Sequence, residues 1–168
     1  MEHGVRAAGM LVLVFSLSLA GSVAAADSDE AAIEAVIEKV VQAYRNGDVN
    51  SMARYYASDV RFVPADFNPP IQGWAVVAER YREAFAQLSG LELLRENTRI
   101  ERRGKIAWAT YQWRFAGVAR NQTMGALGHT TLILEKRGRD WIIVYNHTSA
   151  LLAPPEPAPP APAPPRPN

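Results

Sequence analysis

Asp66, His129 and His147 are the residues whose side chains could move a proton near neutral pH in an ordered setting. His147 follows Trp141, Ile143 and Tyr145 at every second position, and Ser149 continues the series. That spacing predicts a strand carrying all five on one face, because successive strand residues point to opposite sides. His129, Thr131 and Ile133 form a second such series, one charged turn earlier. Two imidazoles on one wall could relay protons, or hold a ligand carboxylate when charged. Asp66 lies in the turn-rich loop from Ala65 to Gly73. Folded over a pocket beside Phe67 and Trp74, its carboxyl would have a raised pKa and accept a substrate proton, with Tyr111 or Tyr145 donating a hydrogen bond. Asp66 and His147 are therefore the candidate catalytic pair. The same aspartate also suits a plain turn, accepting from nearby amides, and each histidine suits a structural role bridging strand ends.

Other chemistry is excluded more firmly. The chain has no cysteine, which removes disulfides, zinc-thiolate sites and thiol nucleophiles. No Walker or dinucleotide glycine motif occurs, so no organic cofactor is expected. The two histidines and Asp66 fall on separate elements without metal-ligand spacing, so no metal is expected either. With 18 Lys+Arg against 17 Asp+Glu the formal net charge is +1, and nothing pulls the chain toward nucleic acid.

Helices come first among the elements that must position these residues. Asp27-Ser28-Asp29-Glu30 suits a helix start, and Ile33, Val36, Ile37, Val40, Val41 and Tyr44 make an apolar stripe ending at Gly47. Asp48 caps a short second helix carrying Met52, Tyr55 and Tyr56, and Val60–Val63 is a short strand stopped by Pro64. Trp74, Val77, Tyr81, Ala84, Phe85 and Leu88 mark a third helix closing at Gly90. The period then changes to two. Leu91–Arg102 reads as a charged strand, Gly104-Lys105 as a turn, and Ile106–Val118 as a long strand with Ala107, Ala109, Tyr111, Trp113 and Phe115 on its apolar face. Gly117–Gly125 reads as a loop before the two strands that carry the histidines. Helices followed by an antiparallel meander predict an α+β domain with helices on one sheet face.

The ends differ from this core. His3 and Arg6, an apolar run from Met10 to Ala20, and Ala24-Ala25-Ala26 have the layout of a signal peptide cleaved after Ala26. The apolar run is shorter than the roughly 20 residues of a spanning helix, so export without lasting membrane insertion is expected. From Ala153 to Asn168 the chain is mostly Pro and Ala, which predicts an extended, solvated tail. The expected organisation is a signal segment over 1–26, one domain over 27–152 and a tail over 153–168.

Short motifs carry a family likeness across about Ser28 to Ala150. They are Ala43-Tyr44-Arg45-Asn46-Gly47-Asp48, Tyr55-Tyr56-Ala57-Ser58-Asp59-Val60-Arg61-Phe62, Gly73 before the third helix, Gly128-x-x-Thr131, and Gly138-x-x-Trp141-x-Ile143-x-x-x-His147. This pattern resembles the nuclear-transport-factor-2-like superfamily, in particular its SnoaL-like and ketosteroid-isomerase-like domains. Its last block is similar to the calcium/calmodulin-kinase association domain. The resemblance implies a curved antiparallel sheet wrapped around three N-terminal helices, a cone with a concave pocket. It does not carry the isomerase residues over: the matching positions hold Val40, Pro64 and Thr131, with Asp66 two residues from the middle one. The pocket is expected to be lined by Tyr44, Trp74, Tyr111, Trp113, His129, Thr131 and Tyr145. Ile106, Trp108, Thr110, Leu132, Leu134, Ile142 and Val144 are expected on the opposite face, an apolar patch suited to a homodimer. Three functions remain open: a binder of a small, largely apolar molecule, a cofactor-independent acid/base enzyme using Asp66 and His147, and a dimeric assembly module.

Overall fold

The computed structural model describes residues 20–66 and 68–152. Most of the signal segment, the Pro/Ala tail and Phe67 lie outside the described residues. Helix α1 spans Ala20–Arg45. Its expected start at Asp27 is corrected: the helix already includes Ala24-Ala25-Ala26, the strongest helix formers, and nothing breaks it before Gly47. Asp29 serves as an anchor to the sheet instead of a cap. Its carboxylate accepts from Lys136 Nζ at 2.5 Å and Trp141 Nε1 at 3.2 Å, with Arg102 at 3.7 Å. Farther along, Ile33, Ile37, Val40 and Val41 are buried against the sheet, each contributing about 1.5–3 kcal/mol. The Gly47 backbone, at φ 63°, turns the chain out of the helix.

Helix α2 covers only Val49–Met52, with the Asp48 carboxylate accepting from the Ser51 amide at 3.0 Å. Strand β1, Tyr56–Val63, starts earlier than expected and takes Tyr56 out of the helix. After β2 (Ile71–Gln72), helix α3 spans Trp74–Ala86. Gly90 does not close α3; its positive φ instead serves a register shift within β3, Leu88–Arg103. A second shift on β3 coincides with Asn97, at φ 54°. Such bulges curve a strand, and β3 bends accordingly across α1.

Strands β4 (Ile106–Ala119), β5 (Gln122–Arg137) and β6 (Asp140–Leu152) complete the expected meander. The sheet is mixed, curved and unclosed, in the order β2-β1-β6-β5-β4-β3, with β1 parallel to β6 and every other pair antiparallel. The expected loop Gly117–Gly125 is corrected to a two-residue hairpin turn. Ala119 pairs with Gln122, and Arg120 and Asn121 both take positive φ, which matches the twist of the flanking strands.

That tight turn sets which residues face the helices. Ala109 pairs with Leu132 and Tyr111 with Thr130, so the even positions of β5 point inward. Leu132 and Leu134 are buried in the core, a correction to their expected place on the outer face. On β6, Trp141 and Ile143 point inward, but Ile133 pairs with Tyr145 while Leu134 pairs with Ile143, leaving Val144 as an extra residue. A one-residue bulge reverses the facing of everything beyond it. Asn146 and Thr148 therefore face inward, and Tyr145, His147 and Ser149 outward.

Candidate functional site

The inner face and the helices enclose a cavity of about 300 Å³. Rings form much of its wall: Tyr44 from α1, Phe62 from β1, Tyr81 from α3, and Tyr111, Trp113 and Phe115 from β4. Tyr81 meets two of the others edge to face, Tyr44 with centroids 6.0 Å apart and Phe62 5.9 Å apart. Glycines admit two of these rings to a sheet face. A Cβ on Gly128 would sit 2.6 Å from the Trp113 ring and 2.0 Å from the Ser149 carbonyl oxygen. One on Gly117 would meet Phe115 at 2.9 Å.

One side of the cavity is polar and uncharged. Asn146, from β6, donates through Nδ2 to the Tyr56 hydroxyl at 2.9 Å, and its Oδ1 accepts from Thr148 at 3.1 Å. Thr148 and Thr130 hydroxyls meet across β5 and β6 at 3.0 Å, and Thr130 pairs across the strands with Tyr111. Burial pushes the Tyr56 hydroxyl well above its ordinary pKa, reinforced by neighbouring Tyr111 and opposed by Asn146. Burial likewise raises Tyr111 to about 12, against Thr130 and Arg95. Tyr44 and Tyr81 are raised by burial too. These phenols stay protonated at neutral pH. They can donate hydrogen bonds, and they cannot serve as bases.

Of the residues expected around a pocket, Tyr44, Tyr111 and Trp113 line this cavity, and Asp66 lies at its edge. Trp74 stands behind the wall, stacked on Tyr56 with centroids 4.7 Å apart, and so fixes that ring. His129, Thr131, Tyr145 and His147 are on the outer face, which corrects their expected place. His129 Nε2 lies 3.1 Å from Gln112 Nε2, and His147 borders an outer groove with Val63, Pro69 and Pro70. The candidate pair does not converge. Asp66 is about half exposed and ion-paired with Arg80. Burial acts to raise its carboxyl, but hydrogen bonding from Asn68 and the Arg80 charge hold it below its ordinary value, the reverse of the expectation for a general base. Its role as a turn former is visible in the Asn68 amide, which donates to it at 3.3 Å.

Sequence reading missed Tyr56, Thr130, Asn146 and Thr148. The available signal was the length of the β4–β5 turn: a two-residue turn places Thr130 opposite Tyr111. Among the described residues no group of three or more His, Asp or Glu is placed to hold a metal ion. No helix among them is long and apolar enough to cross a membrane.

The model of a family described as the SnoaL-like domain matches residues 33–153. The chain belongs to the SnoaL-like domain family. The match runs from the apolar stripe of α1 to the end of β6, so every wall of the cavity lies within this SnoaL-like domain. No curated protein sequence matches it. Solved structures share the fold at low identity. A candidate dehydratase of the NTF2-like family from Streptomyces avermitilis is 16% identical, with a TM-score of 0.69, covering 76% of this chain and 99% of that one. A ketosteroid isomerase-like protein from Erwinia carotovora atroseptica is 17% identical, with a TM-score of 0.64, covering 74% and 96%. A candidate calcium/calmodulin-dependent protein kinase II association domain from Xanthomonas campestris is 17% identical, with a TM-score of 0.62, covering 71% and 85%. At these identities the SnoaL-like domain shares a nuclear-transport-factor-2-like cone with them, and the likeness extends to the fold alone.

Proposed function

We propose that this SnoaL-like domain binds a small, largely apolar and uncharged molecule in its cavity. The observation that carries this reading is the pairing of an aromatic wall with a hydrogen-bonded wall that bears no charge. A charged ligand would lose its hydration at this wall with no opposing ion on it, the Asp66 carboxylate at the cavity edge being already paired with Arg80, whereas a neutral ring system with an oxygen substituent would find both surfaces satisfied. The test is binding of 2-acetylnaphthalene, a neutral two-ring ketone, measured by calorimetry on the protein and on Ala126→Trp, which fills the cavity from β5. Binding lost in the variant while its circular dichroism is retained supports the reading. Equal binding to both contradicts it.

An acid/base enzyme is the second reading, favoured by the position of Asp66 at the cavity edge. The printed names of the candidate dehydratase and the ketosteroid isomerase-like protein point the same way. In that case Asp66 takes the proton alone, and Asp66→Asn abolishes turnover while leaving ligand binding intact.

Export and dimerisation belong to the same proposal. Export rests on the N-terminal cationic, apolar and small-residue layout, and mass spectrometry of the exported protein would find Asp27 as its first residue. The homodimer rests on the outer face, where Trp108, Ile133 and Tyr145 make one cross-strand row with Ile106 exposed beside it. Ile133→Glu is expected to give a monomer by light scattering at micromolar concentration, and a wild-type monomer would end this part of the proposal.

A further inference from the structure

Strand β1 leaves β6 before β6 ends. Their parallel ladder stops at Val63 and His147, because the next residue of β1, Pro64, has no N–H to continue it. β6 runs on to Leu152, paired on its other side with β5 as far as Ala126. The stretch 148–152 therefore has one satisfied edge and one that β1 has vacated.

Alternation decides which main-chain groups lie on the vacated edge. The Ile143 N–H donates to the Tyr55 carbonyl at 2.8 Å, so the inward-facing residues of β6 turn their main chain toward β1. Past the bulge at Val144 the inward-facing residues are Asn146, Thr148 and Ala150. Ala150 thus turns its N–H and C=O to a side where, among the described residues, no strand pairs with them.

This edge is one side of the outer groove, about 520 Å³ in volume, whose opposite wall includes Pro64, Pro69 and Pro70. No Asp, Glu, Lys or Arg lines it. Free N–H and C=O groups facing a wall of prolines suit a single extended chain, whereas the edge of a folded domain would meet the loop. We propose that the groove docks an uncharged, extended segment of a partner protein, added as a strand beside residues 148–152 of β6. Main-chain bonds to Ala150 hold the segment. Leu151, 70% exposed on the outer face, and Thr148 on the inner face favour apolar residues alternating with small hydroxyl-bearing ones. The chain's own end is a poor occupant. Nine of its 12 prolines fall in 153–168, and nowhere there do three alternate residues in succession offer the N–H groups that strand pairing uses.

The probe is an acetylated, amidated peptide of eight alternating valines and threonines, closed by one lysine outside the pairing stretch. A fully N-methylated counterpart keeps the side chains and removes the donors. Fluorescence anisotropy with the full chain is expected to show saturable binding of the first peptide and at least about tenfold weaker binding of the second, the value of lost hydrogen bonds. Hydrogen exchange at the Ala150 amide should slow on the order of tenfold when the peptide binds, while the Ser149 amide, which faces β5, is unchanged. Ala150→Pro removes the edge donor on the side away from β5 and should weaken the peptide to a similar degree with circular dichroism retained. Asn68→Trp fills the groove from its opposite wall and should do the same, so the proposal remains testable where Ala150→Pro does not fold. Absence of saturable binding, equal binding of both peptides, unchanged Ala150 exchange, or full binding by Asn68→Trp overturns the proposal. So does an Ala150 amide that already exchanges as slowly as Ser149 in the free protein, because the edge then holds the tail or a second copy.

Discussion

The inner wall of the sheet presents Tyr111, Thr130, Asn146 and Thr148, while one residue away on the same strands the outer wall presents Gln112, His129, Thr131 and His147. The inner set is buried or nearly so, hydrogen-bonded within itself and uncharged. On the outer wall are the chain's only described imidazoles, with Glu96, Arg99 and Arg114 nearby on β3 and β4. Composition alone favours the outer set as a site, since it holds the titratable groups. Geometry favours the inner one. Enclosure, not the abundance of reactive side chains, distinguishes the functional candidate, because a hydrogen bond gains discriminating power where water is excluded.

Substitutions that separate the two faces should differ most in stability. Leu134→Ala removes a fully buried inner side chain and is expected to cost about 2–5 kcal/mol in chemical denaturation, against about 0.5 kcal/mol or less for Thr131→Ala on the outer face. Similar losses for the two would erase the distinction. Gly128→Ala comes next, at about 1–3 kcal/mol, since its Cβ meets the Ser149 carbonyl oxygen and the Trp113 ring. An unperturbed melting curve would mean that the strands yield there without strain.

Acid should act on the anchoring of α1 and spare the cavity. The Asp29 carboxyl is held below its ordinary value of 3.8, first by the hydrogen bond from Lys136, against some desolvation, with Trp141 adding. Its folded pKa is depressed, so its stabilising contribution is present above the ordinary value and is lost as pH falls through the folded one. Stability should therefore decline below about pH 4, and Asp29→Asn should flatten that part of the profile. A profile unchanged by Asp29→Asn would assign the acid sensitivity elsewhere. The smallest expected effect is at the histidines. His129→Gln and His147→Gln should leave cavity binding of 2-acetylnaphthalene within twofold, and binding of this neutral probe should be level from about pH 6 to pH 9, because among the described residues no imidazole lines the cavity.

Much of the fold was legible. The apolar stripe of α1, the Asp48 cap, the Gly104-Lys105 turn and the alternation of β4 all have local causes that spacing exposes. The site was less so, for two physical reasons. Gly117 and Gly125 read as a loop, but Gly117 and Gly128 lie in strands to admit the Phe115 and Trp113 rings, and the actual turn is Arg120-Asn121, which lacks the usual glycine. On β6, apolar alternation runs unbroken through Trp141, Ile143 and Tyr145, and nothing in it announces that Val144 is extra. That single residue exchanges His147 for Asn146 on the inner wall. Family likeness supplied the cone, and it could not supply the phase of one strand.

The most direct test of the inner wall as the binding surface is a nuclear magnetic resonance titration with 2-acetylnaphthalene, following the Asn146 side-chain amide and Thr130 beside the imidazoles of His129 and His147. The expected result is saturable shifts at Asn146 and Thr130 with both imidazoles unmoved. Shifts confined to the imidazoles, with Asn146 and Thr130 unchanged, would contradict it.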